Sequence, residues 1–372
     1  KDTEEYKMIT TQIDNISKEV TDYQKDIIEK HPTKLVSKMI LMSIDVTIPD
    51  APKDENGNIT DSNFQFNYYR SHYFDNIDLK DSRLVNFSVF HSKLENYFSS
   101  RMMVPHWDTV LYYAYDLCDK LDPTSKMFEY CVSWITSNYG KSKQMGMDKV
   151  YTFMADKYYC TRNADGKSPA FWMTEEKLKE LCEKTAVQKH LVMGAKPHNL
   201  ILRDSTDVNW VNLFDDIDAE YTILYFWYQE CGHFKKTTPK LETLYQEKFK
   251  DRNIEIYSVG KAVGEDFEKW KKFIRDNKLT FINVAVTESL YQAAKVDARQ
   301  FVPKFTNIES LNYHIHYDIY ATPRVFVLNK DKEIIAKQIS ISQLEDLMDR
   351  LQNKTDLPKI FPPDPEEDEQ MH

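Results

Sequence analysis

The sequence predicts two domains, an N-terminal all-α half and a C-terminal α/β half forming a three-layer α/β/α sandwich on a mixed sheet. Three observations predict this. At 372 residues the chain is too long for one ordinary core. Through residues 1–188 apolar side chains recur at helical steps, with no convincing strand pair. From Leu200 onward, short β-branched and aromatic runs alternate with helical patterns, the order of parallel strands and crossover helices.

In chain order, Tyr6, Ile9, Ile13, Ile16, Val20, Tyr23 and Ile27 fall on one helical stripe that Pro32 ends. Heptad spacing admits a coiled-coil dimer. Because the pattern stops after few heptads, an amphipathic helix packed on its own domain is the preferred reading. A second helix over 34–46 is apolar on more than one side and expected to be buried. Residues 49–63 form a loop, with Asn56-Gly57-Asn58 as a turn signal. The aromatic-rich stretch 67–77 comes next, then helical patterns at 83–101, 107–121, 126–140, 144–159 and 175–187.

Residues 200–202 and 211–214 read as short strands. The continuous apolar run 221–228 reads as a buried strand. Helix 238–249, strand 254–259, helix 265–277 and strand 281–286 follow. Strands 324–328 and 333–338 flank Asn329-Lys330-Asp331-Lys332, a hairpin turn signal, and a helix over 342–353 closes the domain. The expected division is therefore 1–188, 189–354 and a flexible acidic tail, 355–372.

Composition excludes several functions. A net charge of −10 provides no basic footprint for nucleic acid. The 8 glycines include no clustered phosphate loop, so neither a P-loop nor a dinucleotide fingerprint is present, and no cofactor is expected. No apolar run has the length of a membrane span. The first residue is Lys1, already within a helical pattern, which suits a mature or trimmed chain.

Chemistry concentrates at Tyr225-Phe226-Trp227-Tyr228-Gln229-Glu230-Cys231-Gly232-His233-Phe234-Lys235-Lys236. A buried strand delivers Cys231 to the start of a helix, where unpaired N–H groups and the helix dipole favour a thiolate. Protonated His233 and Lys235 add to that stabilisation, and Glu230 opposes it. The segment resembles thioredoxin, specifically the periplasmic TlpA/ResA-type thiol-disulfide proteins. Ala321-Thr322-Pro323-Arg324-Val325-Phe326-Val327 matches that family's Thr-Pro followed by a strand. The resemblance covers residues 190–354. It implies a thioredoxin fold, Cys231 and His233 as catalytic residues, and a cis Pro323. It also implies that Thr322, Pro323 and Trp227 bind an extended substrate. The segments His72-Tyr73-Phe74-Asp75-Asn76-Ile77-Asp78 and Lys143-Gln144-Met145-Gly146-Met147-Asp148 resemble a helical domain of unknown function that precedes envelope thioredoxin domains. These likenesses imply a periplasmic or cell-envelope location, with protein or thiol substrates there. They also imply an export segment, and a lipid anchor, upstream of Lys1.

This chain departs from the family pattern in three places. Phe234 occupies the position of the second, resolving cysteine, so a mixed disulfide has no intramolecular thiol to release it. Tyr225 stands where thioredoxin itself keeps a buried carboxylate. The connection over 288–317 is longer than usual and is expected to cover one side of the active-site face. Three readings of Cys231 follow: a monothiol resolved from elsewhere, a remnant on a binding module, or an inert residue.

The other cysteines, Cys118, Cys131, Cys160 and Cys182, lack CxxC spacing, which argues against zinc. Two disulfides, in any of three connectivities, suit an oxidising compartment. Buried free thiols are the slightly preferred reading. His314, His316 and Asp318 would share one side of an extended segment, but a polar strand face explains them as well, and no metal is expected. The Lys/Glu-rich run 177–189 reads as a solvated helix face.

Overall fold

The first helical pattern forms one long helix, α1 (Glu4–Lys30), in the computed structural model, which describes residues 4–319 and 324–363. Its apolar stripe does not pack on the domain that carries it. Ile9, Ile13, Ile16, Val20 and Tyr23 are between 46% and 67% exposed, contrary to the packed reading. Its last turns engage a neighbour: Ile27 and Ile28 are half-buried, and Ser37 Oγ donates to the Ile27 carbonyl at 3.2 Å.

Helices α2 (Leu35–Ser43), α4 (Ser88–Tyr97), α5 (Trp107–Cys118) and α6 (Lys126–Gly140) fall within the predicted helical patterns, α4 as the middle of the expected 83–101, whereas α3 (Phe64–Ser71) forms at the start of a stretch read only as aromatic-rich. Local chemistry sets their ends. Ser125 Oγ caps α6 by accepting from Phe128 N at 3.0 Å, and Asp122 Oδ1 accepts from Thr124 N in the preceding turn. With Lys157–Glu175, these elements make one compact unit ending its first segment at Lys141. Its core includes Leu84, Phe90, Leu94, Val110, Cys118, Phe128, Cys131 and Ile135, each at most 2% exposed. An aromatic cluster of Tyr73, Phe74, Tyr97 and Phe98 packs edge to face beside it.

The second unit comprises residues 142–156 and the chain from Glu176 on, so it begins before the expected boundary at 188. It includes α7 (Asp148–Ala155) and most of α8 (Glu175–Gln188). An ion pair explains the grouping of α7: the buried Lys337 ammonium pairs with Asp148 and also donates to the Leu191 carbonyl. Burial of Lys337 pushes its pKa below the ordinary lysine value.

Among the described residues, seven strands form one mixed sheet: β1 (Ile201–Asp204), β2 (Trp210–Asn212), β3 (Tyr221–Trp227), β4 (Ile254–Ala262), β5 (Ile282–Thr287), β6 (Arg324–Leu328) and β7 (Ile334–Lys337). Their spatial order is β2-β1-β5-β4-β3-β6-β7. Strands β3, β4 and β5 run parallel, and the others pair antiparallel. Helices α9 (Gly232–Leu244), α10 (Asp266–Asp276) and α14 (Ile341–Leu351) bury their apolar sides against Ile223, Tyr225, Trp227 and Val325 on one face. The long connection supplies α11 (Glu288–Asp297), α12 (Ile308–Leu311) and α13 (Tyr313–His316). Tyr313 of α13, and Tyr317 just after it, pack against Phe226, which the strand period points to the opposite face. Three layers result, as expected.

The segment read as a flexible tail starts differently. Ile360 and Phe361 pack on the core, and their N–H groups donate to the buried Glu345 carboxylate at 2.9 and 3.1 Å.

Candidate active site

Strand β3 brings the candidate thiol to its place. Trp227, the last residue of the strand, is 2% exposed, and its indole N–H donates to Ser258 Oγ at 2.6 Å. This places Trp227 in the core, with an edge on a neighbouring cavity, rather than on an open substrate surface. The chain then turns. Gln229 is buried, with Nε2 donating to the Asp266 carbonyl at 3.1 Å, while its Oε1 has no partner among the described residues. Cys231 N donates back to the Tyr228 carbonyl at 3.2 Å.

Cys231 is the N-cap of α9, in extended backbone at φ −71° and ψ 126°. Its carbonyl accepts from Lys235 N at 3.4 Å, the start of the helical ladder. Cys231 is free and half-buried, at the end of the helix where unpaired N–H groups favour negative charge. The other free thiols, Cys118 and Cys131, are fully buried. Burial pushes Cys131 up to about 12 and raises Cys118 well above the ordinary thiol range.

Glu230, next to Cys231, is itself paired. Its carboxylate is paired with Lys269 at 2.6 Å and accepts from Tyr228 OH at 2.8 Å. The Lys269 hydrogen bond, then the Tyr228 one, holds the Glu230 carboxyl below its usual value. The same bond to Glu230 pushes the Tyr228 phenol up to about 12. Under the helix, Tyr225 OH and Thr238 Oγ1 share a buried hydrogen bond of 2.9 Å. A neutral hydroxyl pair thus ties β3 to α9 where the resemblance puts a carboxylate in thioredoxin.

The side chains of His233 and Phe234 are not among those described. Thr322 and Pro323, including the expected cis bond, lie outside the described residues.

A cavity of about 460 Å³ opens at the carboxyl ends of the parallel strands, lined by Phe226, Tyr228, Lys261, Tyr291, Tyr313 and His314 among others. Open α/β sheets hold ligands at such strand ends. Lys261 pairs with Asp266 at 3.0 Å and lies over the Tyr228 ring at 4.5 Å. Of these residues, sequence reasoning anticipated only that the 288–317 connection would cover this side. The extra length was the available signal.

His314, His316 and Asp318 do not line up as an extended face. Residues 313–316 are helical, and Asp318 turns at φ 52° to pair with Arg324 at 3.5 Å and accept from Gln188 Nε2 at 2.7 Å. His316 instead meets His198 edge to face, and His198 lies tilted against His190, with ring centroids 4.9 and 4.3 Å apart. Burial first, then these two neighbours, holds His198 below the ordinary histidine value. Among the described residues, no group of three His, Cys, Asp or Glu is placed to hold a metal. Cys160 and Cys182 are disulfide-bonded, contrary to the preference for free thiols throughout, while Cys118 and Cys131 are free as expected.

A family described as thioredoxin-like matches residues 218–334. No curated protein matches the chain. Among solved structures, the chain is similar to a domain of a possible thiol-disulfide isomerase from Cytophaga hutchinsonii. The two are 32% identical over 44% of this chain and 96% of that one, with a TM-score of 0.34. It is also similar to StoA from Bacillus subtilis, at 20% identity over 41% of this chain and 97% of that one, with a TM-score of 0.30. A thioredoxin-like protein from Bacteroides caccae is 15% identical over 82% of this chain and 98% of that one, with a TM-score of 0.40.

Proposed function

From the premise that this chain belongs, through residues 218–334, to the thioredoxin-like family, we propose that it exchanges thiols and disulfides through the single thiol of Cys231. The observation that carries this reading is the placement of Cys231. It is a free, half-exposed cysteine at the N-cap of a helix that follows a buried parallel strand. In the first step the Cys231 thiolate attacks one sulfur of a substrate disulfide. A Cys231–substrate disulfide forms, the substrate S–S bond breaks, and the other sulfur leaves as a thiolate. A thiol from a second molecule then attacks the mixed disulfide, restores the Cys231 thiolate and carries the substrate sulfur away as a new disulfide. His233 serves to stabilise the thiolate, and Thr322 with Pro323 holds the substrate backbone. The disulfide-bonded state of Cys160 and Cys182 supports an oxidising compartment such as the cell envelope. Among the described residues, no helix is long and apolar enough to cross a membrane.

A second reading, a non-catalytic module that binds a peptide or partner, is favoured by the aromatic-walled cavity beside β3. Mass spectrometry of the native protein mixed with glutathione disulfide separates the two. Exchange chemistry predicts an adduct on Cys231 within minutes, with Cys118 and Cys131 unmodified, and no adduct in Cys231→Ser. Modification that begins only on unfolding would leave the binding reading. Phe234→Cys is expected to add insulin-reducing activity, because it restores a resolving thiol within the same helix.

A further inference from the structure

The exposed stripe of α1 has a register that a helix lying on a globular core does not need. Counting heptads from Tyr6, the a positions are Tyr6, Ile13, Val20 and Ile27, and the d positions are Ile9, Ile16, Tyr23 and Lys30. The flanking e positions are Thr10, Ser17 and Gln24, and the g positions include Gln12, Glu19 and Asp26. All are polar. A helix packed on a core carries a wider apolar band that takes in e or g as well, whereas a strict a/d seam is the coiled-coil pattern. The seam also lacks cover: Ile9, Ile13, Ile16, Val20 and Tyr23 are each at least 46% exposed. Near Ile27 the helix meets α2.

We infer that α1 is the strand of a parallel coiled coil formed with further copies of this chain. Charge selects both the partner and its direction. An antiparallel pair sets g rows against each other, which, with the full stripe overlapping, places Glu19 opposite the same residue of the second copy. A parallel arrangement sets g against e, so Gln12 meets Ser17 and Glu19 meets Gln24 of the neighbouring copy, without repulsion. The seam residues set the number of strands. Isoleucine occupies both a and d in the central layers, through Ile13 and Ile16, and that combination favours three strands over two. The assembly would join catalytic units without using any residue of the Cys231 site.

Sedimentation equilibrium of the full chain tests this. The expected mass is three times the 44.1 kDa of one chain at micromolar concentration. The double variant Ile13→Glu/Ile16→Glu is expected to run as a monomer with an unchanged urea midpoint, because both side chains are more than half exposed in the single chain. Ile9→Cys in a Cys231→Ser background is expected to cross-link under mild oxidation, since d residues near one helix end meet only in a parallel register. A monomeric wild-type chain, an oligomer that survives Ile13→Glu/Ile16→Glu, or a missing Ile9→Cys cross-link would each overturn the proposal.

Discussion

Gly260 shows how one position can be dictated by its neighbour. It lies in β4, and a Cβ there would come within 2.0 Å of Trp270 Nε1. The fully buried Trp270 ring takes the space a side chain would need. Gly260→Ala is expected to destabilise the chain by about 1–3 kcal/mol through overpacking. Trp270→Leu in the same background should recover part of that loss, both read from urea midpoints. Asp81 makes a different kind of point. Its carboxylate accepts from Arg83 Nη2 at 2.6 Å and from Lys38 Nζ at 2.7 Å. The Arg83 bond, then the Lys38 bond, holds its carboxyl well below the usual carboxylate range. The folded state therefore keeps this charge at pH values where the unfolded chain would take up a proton. The resulting stability is complete above the unfolded value of about 3.9 and is lost as pH falls toward the lower folded value. Asp81→Asn should flatten this acid limb, and urea unfolding at several acidic pH values would show the smaller slope.

Among the elements, α14 is held at its start by a capping box. Ser340 Oγ accepts from Gln343 N at 3.3 Å, and Gln343 Oε1 accepts from Ser340 N at 3.1 Å. Ser340→Ala is expected to cost about 0.5–2 kcal/mol in a chemical denaturation series. The long connection is fastened by side chains instead of by strand pairing. Ser310 Oγ accepts from Ile201 N at 2.8 Å, Thr306 Oγ1 donates to the Ile201 carbonyl at 2.7 Å, and Asn307 Nδ2 donates to the Asn199 carbonyl at 2.9 Å. Ser310→Ala should loosen this wall of the cavity. Hydrogen exchange in residues 306–319 is expected to speed up while the exchange of β3 and β4 stays slow.

At the scale of the molecule, the end of the described chain is held by a buried charge cluster. Lys248 pairs with Glu345 at 2.5 Å and Asp349 at 2.9 Å, and Arg252 pairs with Asp349 at 2.6 Å. Glu345 is fully buried and also receives the N–H groups of Ile360 and Phe361. Glu345→Ala would leave those donors without their acceptor and remove one of the two carboxylates beside Lys248. A loss of about 3 kcal/mol is expected, the low end for a broken buried pair, because Asp349 remains. Limited proteolysis should also cut the variant earlier within 357–363.

Much of the architecture was legible beforehand because it rests on local periodicity. The strand run at Tyr221, the helix over Lys126–Gly140 and the hairpin around Asn329 follow from spacing, caps and turn residues that act over a few positions. The position of Cys231 at a helix start was legible for the same reason. Other features needed the tertiary structure. Trp227 is part of the core because Ser258, distant in sequence, receives its N–H. Lys332 reads as a solvated turn residue, yet its ammonium is buried and donates to the Ile217 carbonyl and Thr222 Oγ1 at 2.7 and 2.9 Å. The stripe of α1 is visible as a pattern, but only the fold decides that nothing in its own domain covers it. The sequence by itself determined the elements and the chemistry offered at Cys231, since propensity and capping are short-range. Burial, ion pairing and the cavity depend on residues far apart in the chain, and only the tertiary structure decided which of them meet.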